Sequence, residues 1–196
     1  MNVRLPTGPE ILVFEPDQKG HAREWIEHLI HWLTDSSRAG FLSVVTHPDL
    51  VGELSKLAGR KGRSRIRIIA MTPKEVARCN SRHLAVSGFA RWLTMRRYLR
   101  DTRASHGLFL SIDHLSLPFG LGFASAGKRV SGILFRPSLH YEPSRKRYWK
   151  DLVRDARKDI LYRGMCRNAA IRTIWTLDPD FPSYAIKHYR GGEKIR

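Results

Sequence analysis

The sequence predicts an α/β fold: a doubly wound, mostly parallel sheet of about six strands with helices on both faces. Three observations predict it. Short apolar runs of strand length are spread from Ile11 to Trp175, stretches with apolar residues at three- and four-residue steps lie between most of them, and no repeat, low-complexity tract or linker divides the chain. Strands alternating with helices form βαβ units, whose right-handed crossovers give a parallel sheet covered on both sides. One domain over residues 1–196 is therefore expected.

The first strand is read at 11–14, the apolar run ILVF between Pro9 and Pro16, suited to burial on both faces. From Gly20 the period changes: Ala22, Trp25, Ile26, Leu29, Ile30 and Leu33 share one side of a helix that ends near Ser36. The grammar repeats with a strand at 41–45 and a helix from about Pro48 to Ala58, Pro48 suiting a first helical turn. Residues 65–69 (RIRII) alternate and then turn apolar, as a strand near a sheet edge would. A long helix is expected over 81–104, with Ala85, Phe89, Trp92, Leu93 and Leu99 among its apolar positions. Further strands are read at 107–110, 130–135 and 171–175. Between and after them, 118–122 reads as a Gly- and Pro-rich loop, 144–162 as a very basic helix, and the residues beyond Trp175 as a Pro- and Asp-rich tail.

Charge bounds the partners. The chain has 35 Lys plus Arg against 18 Asp plus Glu, a net +17. Residues 1–36 carry 3 basic and 6 acidic groups, 37–110 carry 15 and 4, and 111–196 carry 17 and 8, so only the beginning is acidic. Such a field attracts nucleic acid, anionic lipid headgroups and phosphorylated substrates alike. No helix-turn-helix, zinc-finger or RNP pattern occurs and the charge is dispersed, which ranks nucleic acid below the other partners. No apolar run approaches the roughly 18 residues of a membrane span, and MNVRLPTGPE lacks the apolar stretch of a secretion signal; a cytoplasmic location is expected. Cys79 and Cys166 stand in no metal-ligand spacing and are read as buried, reduced thiols.

In an open doubly wound sheet, ligands bind beyond the carboxyl ends of the strands where strand order reverses. The loop 15–21 after the first strand opens a helix, so its free N–H groups suit an anion or a sugar hydroxyl around Gly20. His21 at its end has the chemistry of a general base toward an acceptor hydroxyl, with a helix-capping or surface role as the alternative. His47 follows the second strand. Asp113 and His114 follow the fourth, as a base and its orienting carboxylate would, although such a dipeptide is common. After the fifth strand Arg136 offers a planar fork to phosphate or carboxylate, and His140 and Tyr141 offer single hydrogen bonds; a solvated loop tip is the alternative. His21, Glu24, His28 and His31 share a helix face, but an exposed polar face explains them and no metal site is expected. Neither G-x-G-x-x-G nor a Walker motif is present. On the long helix Arg91, Arg96, Arg97 and Arg100 are interleaved with aromatic and aliphatic residues, a pattern that fits an anionic membrane surface or a solvated basic face.

These residues resemble a family pattern, that of the GT-B glycosyltransferases, in which two Rossmann-like domains face each other across a cleft. The resemblance rests on residues 13–21 (VFEPDQKGH) with the helix from Trp25 to Leu33, on Asp113-His114, on 132–137 (GILFRP) with His140, and on 176–179 (TLDP). It implies the N-terminal, acceptor-side domain, with the acceptor reached through Gly20 and His21. The acceptor would be a sugar or a lipid-linked sugar, and the chain could sit peripherally at the inner membrane face. The nucleotide-sugar donor belongs mainly to the C-terminal domain of such enzymes, which this sequence lacks. The resemblance thus implies that this domain alone binds no cofactor, and that a separate donor-binding chain or a longer protein completes the enzyme. A basic nucleic-acid-binding protein and a noncatalytic scaffold of the same fold are the alternatives.

Overall fold

Six strands, β1 (Glu10–Glu15), β2 (Phe41–Thr46), β3 (Ile66–Ala70), β4 (His106–Phe109), β5 (Arg129–Leu134) and β6 (Ile171–Thr176), form one all-parallel sheet in the order β3-β2-β1-β4-β5-β6. The structure is a computed structural model and describes residues 9–35, 40–61, 65–135, 137 and 149–196. Each strand lies within a residue or two of its expected position. β1 is the central strand, pairing with β2 from Glu10↔Phe41 to Glu15↔Thr46 and with β4 from Ile11↔His106 to Phe14↔Phe109. Strand order reverses between β1 and β4.

The helices divide by face. Helices α1 (Ala22–Asp35) and α2 (Pro48–Lys61) close one side, where Ile26, Ile30, Leu33, Leu50 and Leu54 pack on Val13 and Val44. Helices α3 (Pro73–Cys79), α4 (Leu84–Asp101), α5 (Ser116–Gly120), α6 (Trp149–Arg167) and α7 (Phe181–His188) cover the other, with a 3-10 turn at Ile112–Leu115 leading into α5. There Met95, Leu99, Phe119, Met165 and Phe181 join Leu12, Phe14 and Phe109 in the larger core. Every second residue of a strand faces each core, so the sheet is covered on both sides and the fold is doubly wound.

Five local expectations are corrected. The segment before the long helix forms its own helix, α3. Thr72 and Glu75 make a reciprocal capping box around Pro73, a start signal the sequence carries in plain form. The long helix itself spans only Leu84–Asp101, and Ala85 and Leu93 on it are exposed rather than apolar contacts. Of the expected loop 118–122, residues 118–120 are helical, the end of α5, and only 121–122 form a turn; α5 is pressed against α6, so closely that a Cβ on Gly164 would clash with the Gly120 carbonyl oxygen. The tail is also helical over α7, and its entry is fixed by Asp178, whose carboxylate accepts the N–H groups of Asp180 and Phe181. Helix α6 continues past Tyr162 to Arg167, where Asn168 stops it and bonds the carbonyls of Phe119 and Phe123.

Candidate functional site

The loops leaving β1 and β4 diverge at the reversal of strand order, and a crevice of about 210 Å³ opens there. Glu15, Asp17, Lys19, His21, Trp25, Ser111 and Phe135 are among its walls. A larger cleft of about 680 Å³ adjoins it and shares Ser111 and Phe135; Asp113, His114, Ser116, Arg157, Lys158 and Tyr162 line that one. Gly20, at φ +84°, supplies the left-handed turn that brings the chain from the first loop into α1, a conformation side chains resist.

An ion pair underlies the small crevice. Arg91 is only 5% exposed, and its guanidinium donates to both carboxylate oxygens of Asp17, at 3.0 and 2.6 Å. It also donates to the Cys79 carbonyl and the Asn80 side chain. This fork uses the planar donor geometry that distinguishes Arg from Lys. Burial works to raise the Asp17 pKa, but the Arg91 bonds and charge overcome it and hold this carboxyl below its usual range.

Glu15 ends β1 beside this pair, is 3% exposed, and accepts the Asp17 N–H at 3.0 Å. Burial, reinforced by the negative charge of Asp17, pushes its pKa up to about 7. The two neighbouring carboxyls therefore differ in proton affinity, Asp17 ionised and Glu15 poised to exchange a proton near neutrality. His114 Nε2 lies 4.0 Å from Asp17, yet burial and the Arg91 charge favour its neutral imidazole against the pull of the two aspartates.

Asp113 and His114 face different partners, and no hydrogen bond joins them. Asp113 accepts the Phe135 N–H at 3.0 Å, tying the end of β5 to the turn after β4, and burial raises its pKa. The Tyr162 hydroxyl stands against Asp113, and burial followed by this carboxyl raises the phenol pKa. Asp113 is thus a structural tie at the floor of the larger cleft rather than the orienting partner of His114.

His21 lies on the small crevice, mostly exposed, with Nδ1 2.9 Å from Glu24. His47 Nδ1 accepts the Asp49 N–H at 3.2 Å at the start of α2, and this residue lines neither of the two crevices. Of the expected anion face of α4, one arginine is withdrawn from the surface and the others remain on it. Arg91 is buried against Asp17, Arg96 lies over the Trp92 ring at 4.7 Å, and Arg97 bonds Glu75 at 2.6 Å. Arg100 is exposed and makes no ion pair among the described residues. Arg136, His140 and Tyr141 lie outside the described residues.

Sequence reasoning passed over Glu15, Asp17, Ser111, Arg157, Lys158 and Tyr162. Glu15 closes β1 and Asp17 lies in the loop singled out after it, so two carboxyls at the end of a buried strand were the available signal. Among the described residues no group of three or more His, Cys, Asp and Glu is arranged to hold a metal ion, and no helix is long and apolar enough to cross a membrane. No protein-family model, curated protein or solved structure matches the chain.

Proposed function

We propose that this chain is the acceptor-side domain of a GT-B-type glycosyltransferase, acting on a sugar or lipid-linked acceptor and completed by a donor-binding unit. The observation that carries the reading is the crevice at the reversal of strand order, where His21 and Ser111 share the walls with Glu15, whose carboxyl pKa burial pushes up to about 7, and with Asp17, held below its usual range by Arg91. A hydroxyl acceptor needs hydrogen-bonding groups that orient it and a nearby base that takes its proton as the glycosidic bond forms. His21 and Glu15 have that chemistry, and Asp17, immobilised by Arg91, has the fixed geometry that orientation demands. The nucleotide-sugar is bound by the other unit, supplied by a partner chain or by another part of a longer protein. The net +17 also fits peripheral attachment to an anionic membrane on the cytoplasmic side.

The test is titration of the isotope-labelled chain with a panel of neutral mono- and disaccharide glycosides, following the amides of Gly20, His21, Ser111 and His114. A subset of glycosides should shift these amides saturably, and His21→Ala should weaken that response while leaving the melting temperature unchanged. Nucleotide-sugars alone should leave the same amides unmoved. If no glycoside moves them while an oligonucleotide shifts amides saturably, the acceptor reading falls and the nucleic-acid alternative replaces it.

A further inference from the structure

We propose that the larger cleft is a binding site for a phosphate-bearing amphiphile, its phosphate held by Arg157 and Lys158 with the Ser116 hydroxyl and its apolar chain lying along Leu84 and Leu117. This deepens the acceptor-side reading and rests on it for its biological sense: the acceptor sugar would be carried on such a molecule.

Helix α6 points to the anion. Its other central cations are neutralised within the helix, Arg154 by Asp151 and Asp155 and Arg163 by Asp159. Arg157 and Lys158, by contrast, make no ion pair among the described residues, and both line the cleft. Two adjacent cations with no ion pair among the described residues, on a helix that neutralises its neighbours, provide a charged locus on the cleft wall. The carboxyl lining the same cleft, Asp113, accepts the Phe135 N–H and stands against the Tyr162 hydroxyl; its charge also acts on Lys158, without the close contact of an ion pair. The imidazole there, His114, is biased toward its neutral form and does not add to the positive charge.

The apolar side points to the chain. Leu84 lines the cleft while 65% exposed, and Leu117, Phe135 and Leu161 continue the apolar wall inward. An inorganic anion would leave this wall in water, and a neutral sugar would leave both cations without a partner. A molecule with a charged head and an apolar tail satisfies both, and a cavity of about 680 Å³ lies within the size range of drug-sized ligand sites.

The experiment is isothermal titration of the full chain with octyl phosphate below its micellar concentration, with inorganic phosphate and 1-octanol as the two halves of the probe. Octyl phosphate should bind saturably, and each half should bind about tenfold more weakly or less. Arg157→Gln/Lys158→Gln should weaken octyl phosphate about tenfold, whereas Lys56→Gln/Arg60→Gln, an equal charge loss on the opposite side of the sheet, should leave it unchanged. Leu84→Ser should weaken octyl phosphate without altering the response to inorganic phosphate. Equal weakening by the two charge variants, equal affinity for inorganic phosphate, or binding seen only with micelles would each overturn the proposal. Because this titration contains no glycoside shift and the glycoside titration no phosphate, failure of one reading leaves the other measurable.

Discussion

Arg91 and Asp17, 74 residues apart in sequence, meet in a two-pronged ion pair that joins α4 to the loop leaving the central strand. The guanidinium is almost entirely removed from water, while Asp17 keeps about a third of its side chain exposed. Taking away one partner would strand the other. Arg91→Met is expected to cost about 3 kcal/mol of folding stability, at the lower end for a broken buried pair because Asp17 retains some solvent. Urea unfolding measures it. Pairing the change with Asp17→Asn should recover part of the loss, and an unchanged midpoint in Arg91→Met would show that the pair contributes nothing to stability.

Glu15 gives stability a pH dependence of known sign. Its carboxyl titrates at about 7 in the fold against an ordinary 4.5, so the folded state holds this proton more tightly than the unfolded chain. Its stabilising contribution is therefore complete below the lower value and lost as pH rises through about 7. Glu15→Gln keeps an oxygen for the Asp17 N–H and cannot ionise. Relative to the parent it should gain on the order of 2 kcal/mol between about pH 5 and pH 8, read from urea unfolding at each pH. A difference that stays flat across that range would refute the assignment.

The contact between α5 and α6 makes Gly164 intolerant of any side chain. A Cβ there would meet backbone, the Gly120 carbonyl carbon and oxygen, which cannot swing aside as a flexible side chain would. Gly164→Ala is expected to cost about 3 kcal/mol by forcing the helices apart. Gly52→Ala on α2 meets nothing within 4 Å and should instead stabilise by about 0.5 kcal/mol, since alanine loses less backbone freedom than glycine in a helix. Thermal melts of the two variants should move in opposite directions.

Both thiols are sealed in the larger core. Burial raises the Cys79 pKa, and burial pushes that of Cys166 up to about 11, so neither offers thiolate at neutral pH. Alkylation by iodoacetamide at pH 7.5, about one unit below the ordinary thiol pKa, should be negligible in the native chain and proceed at both sites once urea unfolds it. Modification of either cysteine in the native state would contradict the burial.

The sheet was legible because each strand is an apolar run bounded by turn residues, a signal that does not depend on distant parts of the chain. Helices α1 and α2 were legible for the same reason, their apolar residues recurring on one side. Helix α5 was not, since what makes 116–120 helical is the backbone of α6 lying on Gly120, more than forty residues away. Helix α3 carried its capping box openly at Thr72 and Glu75 and was missed in reading. The candidate site was half legible. The loop after β1 and the Asp113-His114 pair were found by position alone. The roles were not, because Arg91 looks like a surface charge until its partner in the loop after β1 is known, and Asp113 looks like the partner of His114 until the Phe135 N–H is seen to occupy it.

The central pairing of β1 with β4 also fixes the order in which the chain can be completed. Glu10 and Ser105, bonded backbone to backbone at this junction, are separated by 95 residues. During synthesis β1, β2 and β3 can associate as soon as they emerge, but the inner edge of β1 stays unpaired until β4 follows. An apolar parallel edge held open for that interval is a template for another nascent chain. The acidic charge of the first segment, set among so many cations later on, falls on the part of the molecule that waits longest.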